Sequence, residues 1–184
     1  MQIRVGAAPV SWGVWFPDDP KQPPAAQFLD EAVEAGFEWI ELGPVGYLPS
    51  DIDDLRKELA PRGLRVASQV AMRHLEDGSD WAELEKEVNS TCERLAAFDA
   101  SYMVLIDDVY RDLHSGVARR PPRLEDSAWS RLIETTEKVA AVARDRFGIG
   151  VAFHPHVDTH VETEDQIEAL IDETDPDLDR KSVV

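Results

Sequence analysis

The feature that most constrains this chain is an alternation: a short apolar run followed by an amphipathic helical pattern, five times over. Residues 3–8 read as a strand that feeds a loop, 9–24. A helix follows over 25–35, where Phe28, Leu29, Ala32 and Val33 recur at helical spacing and Gly36 ends it. Residues 39–42 are the second strand, and 51–60 the second helix, with Ile52, Leu55 and Leu59 on one face and Pro61 and Gly63 closing it. Residues 64–70 are the third strand. Ser79 or Asp80 is predicted to cap a long helix running to about Phe98, with Trp81, Leu84, Val88, Cys92 and Leu95 on its face. Residues 102–106 are the fourth strand and 107–125 a long loop. Ser127 is predicted to cap a fourth helix that carries Leu132, Val139 and Val142 and ends near Gly148. Residues 149–153 are the fifth strand, and Thr163-x-x-Gln166 is a capping box that opens a helix over 164–173.

Strict strand–helix alternation makes an α/β fold with a parallel sheet and right-handed crossovers. An open nucleotide-binding sheet wants G-x-G-x-x-G after the first strand. Here that turn reads Ala7-Ala8-Pro9-Val10-Ser11-Trp12-Gly13, which does not cradle a pyrophosphate that way. The expectation is therefore a partial (β/α)8 TIM barrel: about five βα units are present and the last three are missing, since a complete barrel takes about 250 residues against 184. Residues 1–178 read as one domain. Residues 179–184 continue no pattern and match the in-frame translation of a common sequencing adapter, so they read as a non-native tail.

Composition narrows the partners. A net charge of −18 repels phosphate backbones and argues against nucleic acid. No apolar run approaches the roughly 20 residues of a membrane helix, and the first residues lack a signal-peptide pattern, so the expected address is cytoplasmic. The single cysteine, Cys92, excludes an intrachain disulfide and reads as a small buried hydrophobe.

In a barrel, functional groups gather at the C-terminal ends of the strands. His154 and His156, two apart in an extended segment, should point the same way, and Pro155 should end the strand. With Asp158, His160 and Glu162 downstream, they suit a divalent metal or a polar sugar. Glu41, an acid inside the second strand, is a candidate base or hydroxyl ligand, unless it pairs with Arg4 or Arg65. Trp12, Trp15 and Phe16 give the first loop an aromatic density suited to sugar C–H faces, unless some of them plug the interior. Asp107 and Asp108 end the fourth strand, where carboxylates can take hydroxyls or simply open a turn. The arginines of 111–123 read as a solvated loop face or a lid.

Three blocks carry a resemblance: Gly6 to Gly13, Ala35 to Pro49 with its G-x-E-x-I-E-x-G-P core, and His154-Pro155-His156 through Val161-Glu162-Thr163. Over residues 3 to about 178 the chain resembles inosose dehydratase-type members of the xylose isomerase-like barrel superfamily. The resemblance implies a divalent-metal enzyme (Mn, Co, Mg or Zn) that forms an enediolate next to a carbonyl of a sugar or inosose. It then loses water as a hydro-lyase, or reprotonates as an isomerase or epimerase. Glu41, His156 and Glu162 are the implied catalytic residues; Trp12, Trp15, Asp107 and His154 the substrate contacts; His154 and Glu162 the metal ligands, with the rest of the set expected in the missing strands. Many superfamily members place a metal-binding Glu where His154 stands here, so the metal set departs from the usual one. The 184-residue chain by itself is expected to bind metal weakly and to turn nothing over. A relative that cuts abasic DNA is disfavoured by the charge. The alternative of another class is a non-catalytic sugar-binding half-barrel completed by dimerisation, so a homo-oligomer is a possible partner state.

Overall fold

The computed structural model describes residues 4–175; the expected tail, 179–184, lies outside the described residues. In chain order the elements are β1 (Gly6–Ala7), α1 (Ala25–Glu34), β2 (Trp39–Glu41), α2 (Ile52–Leu59), β3 (Arg65–Arg73), α3 (Trp81–Ala97), β4 (Tyr102–Asp107), α4 (Asp126–Phe147), β5 (Gly150–Phe153) and α5 (Glu164–Glu173). The strands form one five-stranded sheet in the order β1-β2-β3-β4-β5. Sequential order with a helix between each pair of strands is what repeated right-handed βα units produce. The chain divides into two compact units, Met1–Val70 with Glu93–Tyr102, and Ala71–Cys92 with Met103–Val184.

In the first unit, β1 and β2 pair in parallel with Gly6 opposite Trp39 and Ala7 opposite Ile40. A Cβ on Gly6 would lie 2.9 Å from the Trp39 carbonyl oxygen, so this close approach requires glycine. β2 pairs in parallel with β3, and the register shifts between Ile40 and Glu41, which sets Glu41 opposite Ser68. Phe28, Leu29 and Ala32 of α1, Ile40 and Leu42, and Leu55 and Leu59 of α2 are all buried. The apolar spacing of both helices therefore faces largely inward, as amphipathic helices on a sheet do, except at Val33, which lies past the edge of the buried face and is exposed. α2 starts where the Asp51 carboxylate accepts from the Asp53 and Asp54 N–H groups, at 2.9 and 3.0 Å.

In the second unit, the His154 N–H donates to the Leu105 carbonyl at 2.9 Å, which carries the β4–β5 ladder to the end of β5. Leu84, Val88, Met103, Leu105, Leu132, Val139, Val151 and Phe153 form its buried apolar set. Cys92 is fully buried, and burial pushes its thiol up to about 12, so it is inert packing, as its helical position suggested.

Several boundaries differ from the sequence expectation by a residue or more, β1 among them at Gly6–Ala7. β3 runs three residues further, to Arg73, because the Asp108 N–H donates to the Arg73 carbonyl at 2.9 Å and extends the ladder. A single 3-10 turn, Gly78–Asp80, leads into α3, and the Asp77 carboxylate accepts from the Ser79 N–H. Ser127 does not cap α4. The N-cap is Glu125, whose carbonyl takes the Ala128 and Trp129 N–H groups, and Asp126 supplies the favourable first-turn acid. The capping box of α5 forms as the sequence predicts, with Gln166 Oε1 accepting the Thr163 N–H at 3.0 Å.

Candidate functional site

In the second unit three segments end together in polar side chains: Glu76 just after β3, Asp107 at the last position of β4, and His160 in the loop after β5. One ligand atom from each lies within 4.8 Å of the others. The β5–α5 loop folds so as to aim His160 inward. Thr159 Oγ1 donates to the His156 carbonyl at 2.8 Å and accepts the Val161 N–H at 3.2 Å. Asp158 takes a left-handed backbone (φ 62), and its N–H meets Glu162 Oε2 at 2.7 Å. Val161 beside it is fully buried and anchors the turn.

Asp107 is fully buried and meets three N–H donors. Oδ1 accepts from the Leu75 backbone at 3.1 Å, and Oδ2 accepts from the His160 backbone at 3.1 Å and from its ring Nδ1 at 2.8 Å. The other ring nitrogen of His160, Nε2, faces the Pro121 carbonyl at 3.1 Å. Glu76 is 6% exposed. Its Oε1 takes Arg120 Nη1 at 3.0 Å, and its Oε2 stands 4.0 Å from His160 Nδ1 with no hydrogen-bond partner. Arg131 Nε donates to the Glu76 carbonyl at 2.9 Å and fixes the backbone there. The outer edge carries His74, 3.5 Å from Glu76 and 3.7 Å from Asp108.

The electrostatics follow from this packing. Burial favours the neutral ring of His160, but the hydrogen bond and charge of Asp107, then the charge of Glu76 and the Pro121 carbonyl, outweigh it and hold its pKa above the ordinary value. Burial first, and the Asp107 charge second, push the Glu76 carboxyl up. Two carboxylates and an imidazole are donor types that divalent first-row cations accept.

The sequence-predicted residues fall into place unevenly. His154 and His156 do point the same way: their ring centroids are 5.8 Å apart. Burial and then the neighbouring His156 lower the His154 pKa, so its ring is held neutral. Glu162 accepts from the Tyr110 hydroxyl at 3.0 Å and from the Asp158 N–H, so both of its oxygens are engaged. Neither His154 nor Glu162 belongs to the converging group of three. Asp107, expected to offer its carboxylate to substrate hydroxyls, is buried, and its two oxygens accept N–H groups of the protein. Glu76 went unnoticed in the sequence; its signal was its place directly after an apolar strand, in Arg73-His74-Leu75-Glu76-Asp77. His160 was visible only as one polar residue among several.

In the first unit, Glu41 pairs with neither Arg4 nor Arg65. Both guanidinium groups lie over the Trp39 ring, at 4.7 and 5.5 Å, and Glu41 Oε2 accepts instead from the Ser68 hydroxyl at 3.3 Å. Burial raises its pKa, and the Ser68 hydrogen bond offsets part of that. Trp12 is fixed by packing: its indole N–H donates to Glu31 at 2.6 Å, and its ring meets Phe28 edge-on at 5.0 Å. Trp15 stays 47% exposed and Phe16 37%.

A five-stranded βα sheet with its polar groups at the strand ends now meets a direct comparison, in which the profile of one family matches residues 29–179. The chain belongs to the Xylose isomerase-like TIM barrel family. Among curated relatives, the inosose dehydratase of Bacillus licheniformis is 31% identical over 181 residues, covering 96% of this chain and 58% of the relative. The inosose dehydratase of Salmonella typhimurium is 30% identical over 179 residues, covering 95% and 58%. The chain thus spans less than two thirds of the length of these relatives. Of solved structures, a xylose isomerase-like TIM barrel protein from Mycobacterium smegmatis in complex with magnesium superposes with a TM-score of 0.68 at 19% identity, over 92% of this chain and 60% of that one. IOLI protein with a bound zinc atom gives 0.68 at 13%, over 92% and 58%. These two likenesses establish the fold, and with the family match they bear out the partial-barrel expectation.

Proposed function

We propose that a protein built on these five units is a metal-dependent hydro-lyase that removes water from an inosose. The observation that carries this reading is the 31% identity to an inosose dehydratase along 96% of the chain. Proton removal next to the ketone gives an enediolate, and expulsion of the β-hydroxyl completes the dehydration. A bound Mn, Co, Mg or Zn ion supplies polarisation of the carbonyl. Glu41, with its pKa raised by burial, has the character of a proton-transferring carboxyl. In the second unit, the neutral ring of His154 can accept a hydroxyl or bind a cation, His156 stands beside it, and Glu162 follows in the same loop, the two offered for proton transfer. Trp15 offers an exposed indole face to the C–H side of a cyclic polyol.

The test joins residues 1–178 to the unmatched C-terminal part of the Bacillus licheniformis relative. The chimera is incubated with a keto-inositol and each of the four metals, and the product is followed by mass spectrometry. Metal-dependent loss of one water, abolished by Glu41→Gln, is the expected result. A folded chimera that yields a product of unchanged mass points to isomerisation or epimerisation, and it rejects the hydro-lyase reading, as does one that yields no product.

A further inference from the structure

The three groups that converge in the second unit have a feature that packing alone does not require. Each is braced by the protein around it: Glu76 Oε2 is left without a donor, and Asp107 Oδ2 and His160 Nδ1 face each other at 2.8 Å, with Nδ1 4.0 Å from Glu76 Oε2. Metal-bound histidines almost always give their second ring N–H to a carbonyl or carboxylate, which fixes tautomer and orientation. His160 Nε2 stands 3.1 Å from the Pro121 carbonyl, which leaves Nδ1 facing Asp107 at 2.8 Å and Glu76 at 4.0 Å. Ligating carboxylates are likewise braced from outside. Asp107 is braced by the Leu75 and His160 backbone N–H groups, and Glu76 by Arg120. Glu76 Oε2 is buried with no hydrogen-bond donor. A buried carboxylate oxygen without a partner is costly, and a cation between it, Asp107 and Nδ1 would satisfy it.

We propose that Glu76, Asp107 and His160 form a binding site for one divalent cation of the zinc, cobalt or manganese class, with His160 ligating through Nδ1. The chain holds two states of this site. In one, a proton on Nδ1 bridges to Asp107, and Arg120 holds Glu76. In the other, the cation replaces that proton, which leaves to solvent. The mixed nitrogen and oxygen donors favour zinc, cobalt and manganese over magnesium, which prefers oxygen and keeps its waters. The site draws only on residues of the second unit, and it does not depend on the hydro-lyase reading.

The experiment uses the 184-residue chain, stripped with a chelator and titrated with Co2+, Zn2+, Mn2+ and Mg2+ in the absence of any substrate. Visible absorption reads the Co2+ environment. Calorimetry in two buffers of different ionisation enthalpy reads the stoichiometry and the proton released. Expected are one equivalent of cobalt or zinc, close to one proton released per ion, weaker magnesium binding, and a rise in the melting midpoint with the ion. Glu76→Gln and His160→Gln, checked for folding by circular dichroism, should each lose at least tenfold in affinity and lose the midpoint rise. His114→Ala, at an exposed histidine elsewhere, should lose neither. Absence of saturable binding, or binding that survives both Glu76→Gln and His160→Gln, overturns the proposal; the second result would place the ion elsewhere, with His154 and His156 the next residues to substitute.

Discussion

The carboxylates at the ends of β2 and β4, and the one just after β3, belong to successive βα units, and the chain surrounds them differently. Glu41 has one hydroxyl for company, Ser68, at 3.3 Å. Desolvation dominates, and the group leans toward its protonated form. Asp107 has three N–H groups, and Glu76 has Arg120 on one oxygen and His160 near the other. There the low dielectric that penalises a solitary charge strengthens every pair. Glu41 is thus a proton-holding acid and Asp107 a hydrogen-bond acceptor, with Glu76 between them: Arg120 braces it, yet burial and the Asp107 charge still push its pKa up.

The comparison breaks hardest at Asp107. Asp107→Ala leaves the His160 ring and two backbone N–H groups without an acceptor in a fully buried place. Removing one partner of such a buried pair costs about 3–5 kcal/mol. Urea unfolding of the chain should show that loss, and Asp107→Asn, which keeps the shape and one acceptor oxygen, should show a smaller one. A loss under about 1 kcal/mol for the alanine variant would mean that the network behaves like a surface ion pair.

Much of this was legible in the sequence, and the illegible part has a physical cause. The five βα units follow from periodicity, because a helix or strand must bury one face, and that requirement writes itself into the spacing of Phe28, Leu29 and Ala32 or of Leu132 and Val139. His154 and His156 were readable as a same-facing pair because strand geometry is local. Glu76 and His160 lie 84 residues apart in sequence, and only the turn made by Thr159, Asp158 and Glu162 delivers the imidazole. No period encodes that turn. Asp107 was found by position, but its imidazole neighbour was not, since a strand-end carboxylate looks the same in sequence whether it faces water or an imidazole.

Glu41→Gln tests the other half of the comparison, with a smaller effect of opposite sign. Burial raises the Glu41 pKa in the folded chain, so the folded state keeps its proton to higher pH than the unfolded chain does. The stability from the neutral form is complete below the ordinary carboxyl value of 4.5 and is lost as pH rises through the raised one. Glutamine carries no charge at any pH. The variant should therefore match the wild type near pH 4 and exceed it at pH 8, by an amount on the order of 1 kcal/mol. Equal stability at pH 8 would show that Glu41 is solvated or paired after all.

The smallest effect is expected at Ser68. Its hydroxyl makes a long hydrogen bond to Glu41, and Ser68→Ala should cost about 0.5 kcal/mol, the low end for such a bond. Its value lies in the direction of a second readout. The bond favours the charged carboxylate, so its loss should move the Glu41 titration, followed by carboxyl-carbon NMR, to higher pH. A shift to lower pH would mean that the hydroxyl was stabilising the neutral acid. Glu41 would then be a held proton donor, and the contrast with the braced pair at Asp107 would be one of chemical role as well as charge.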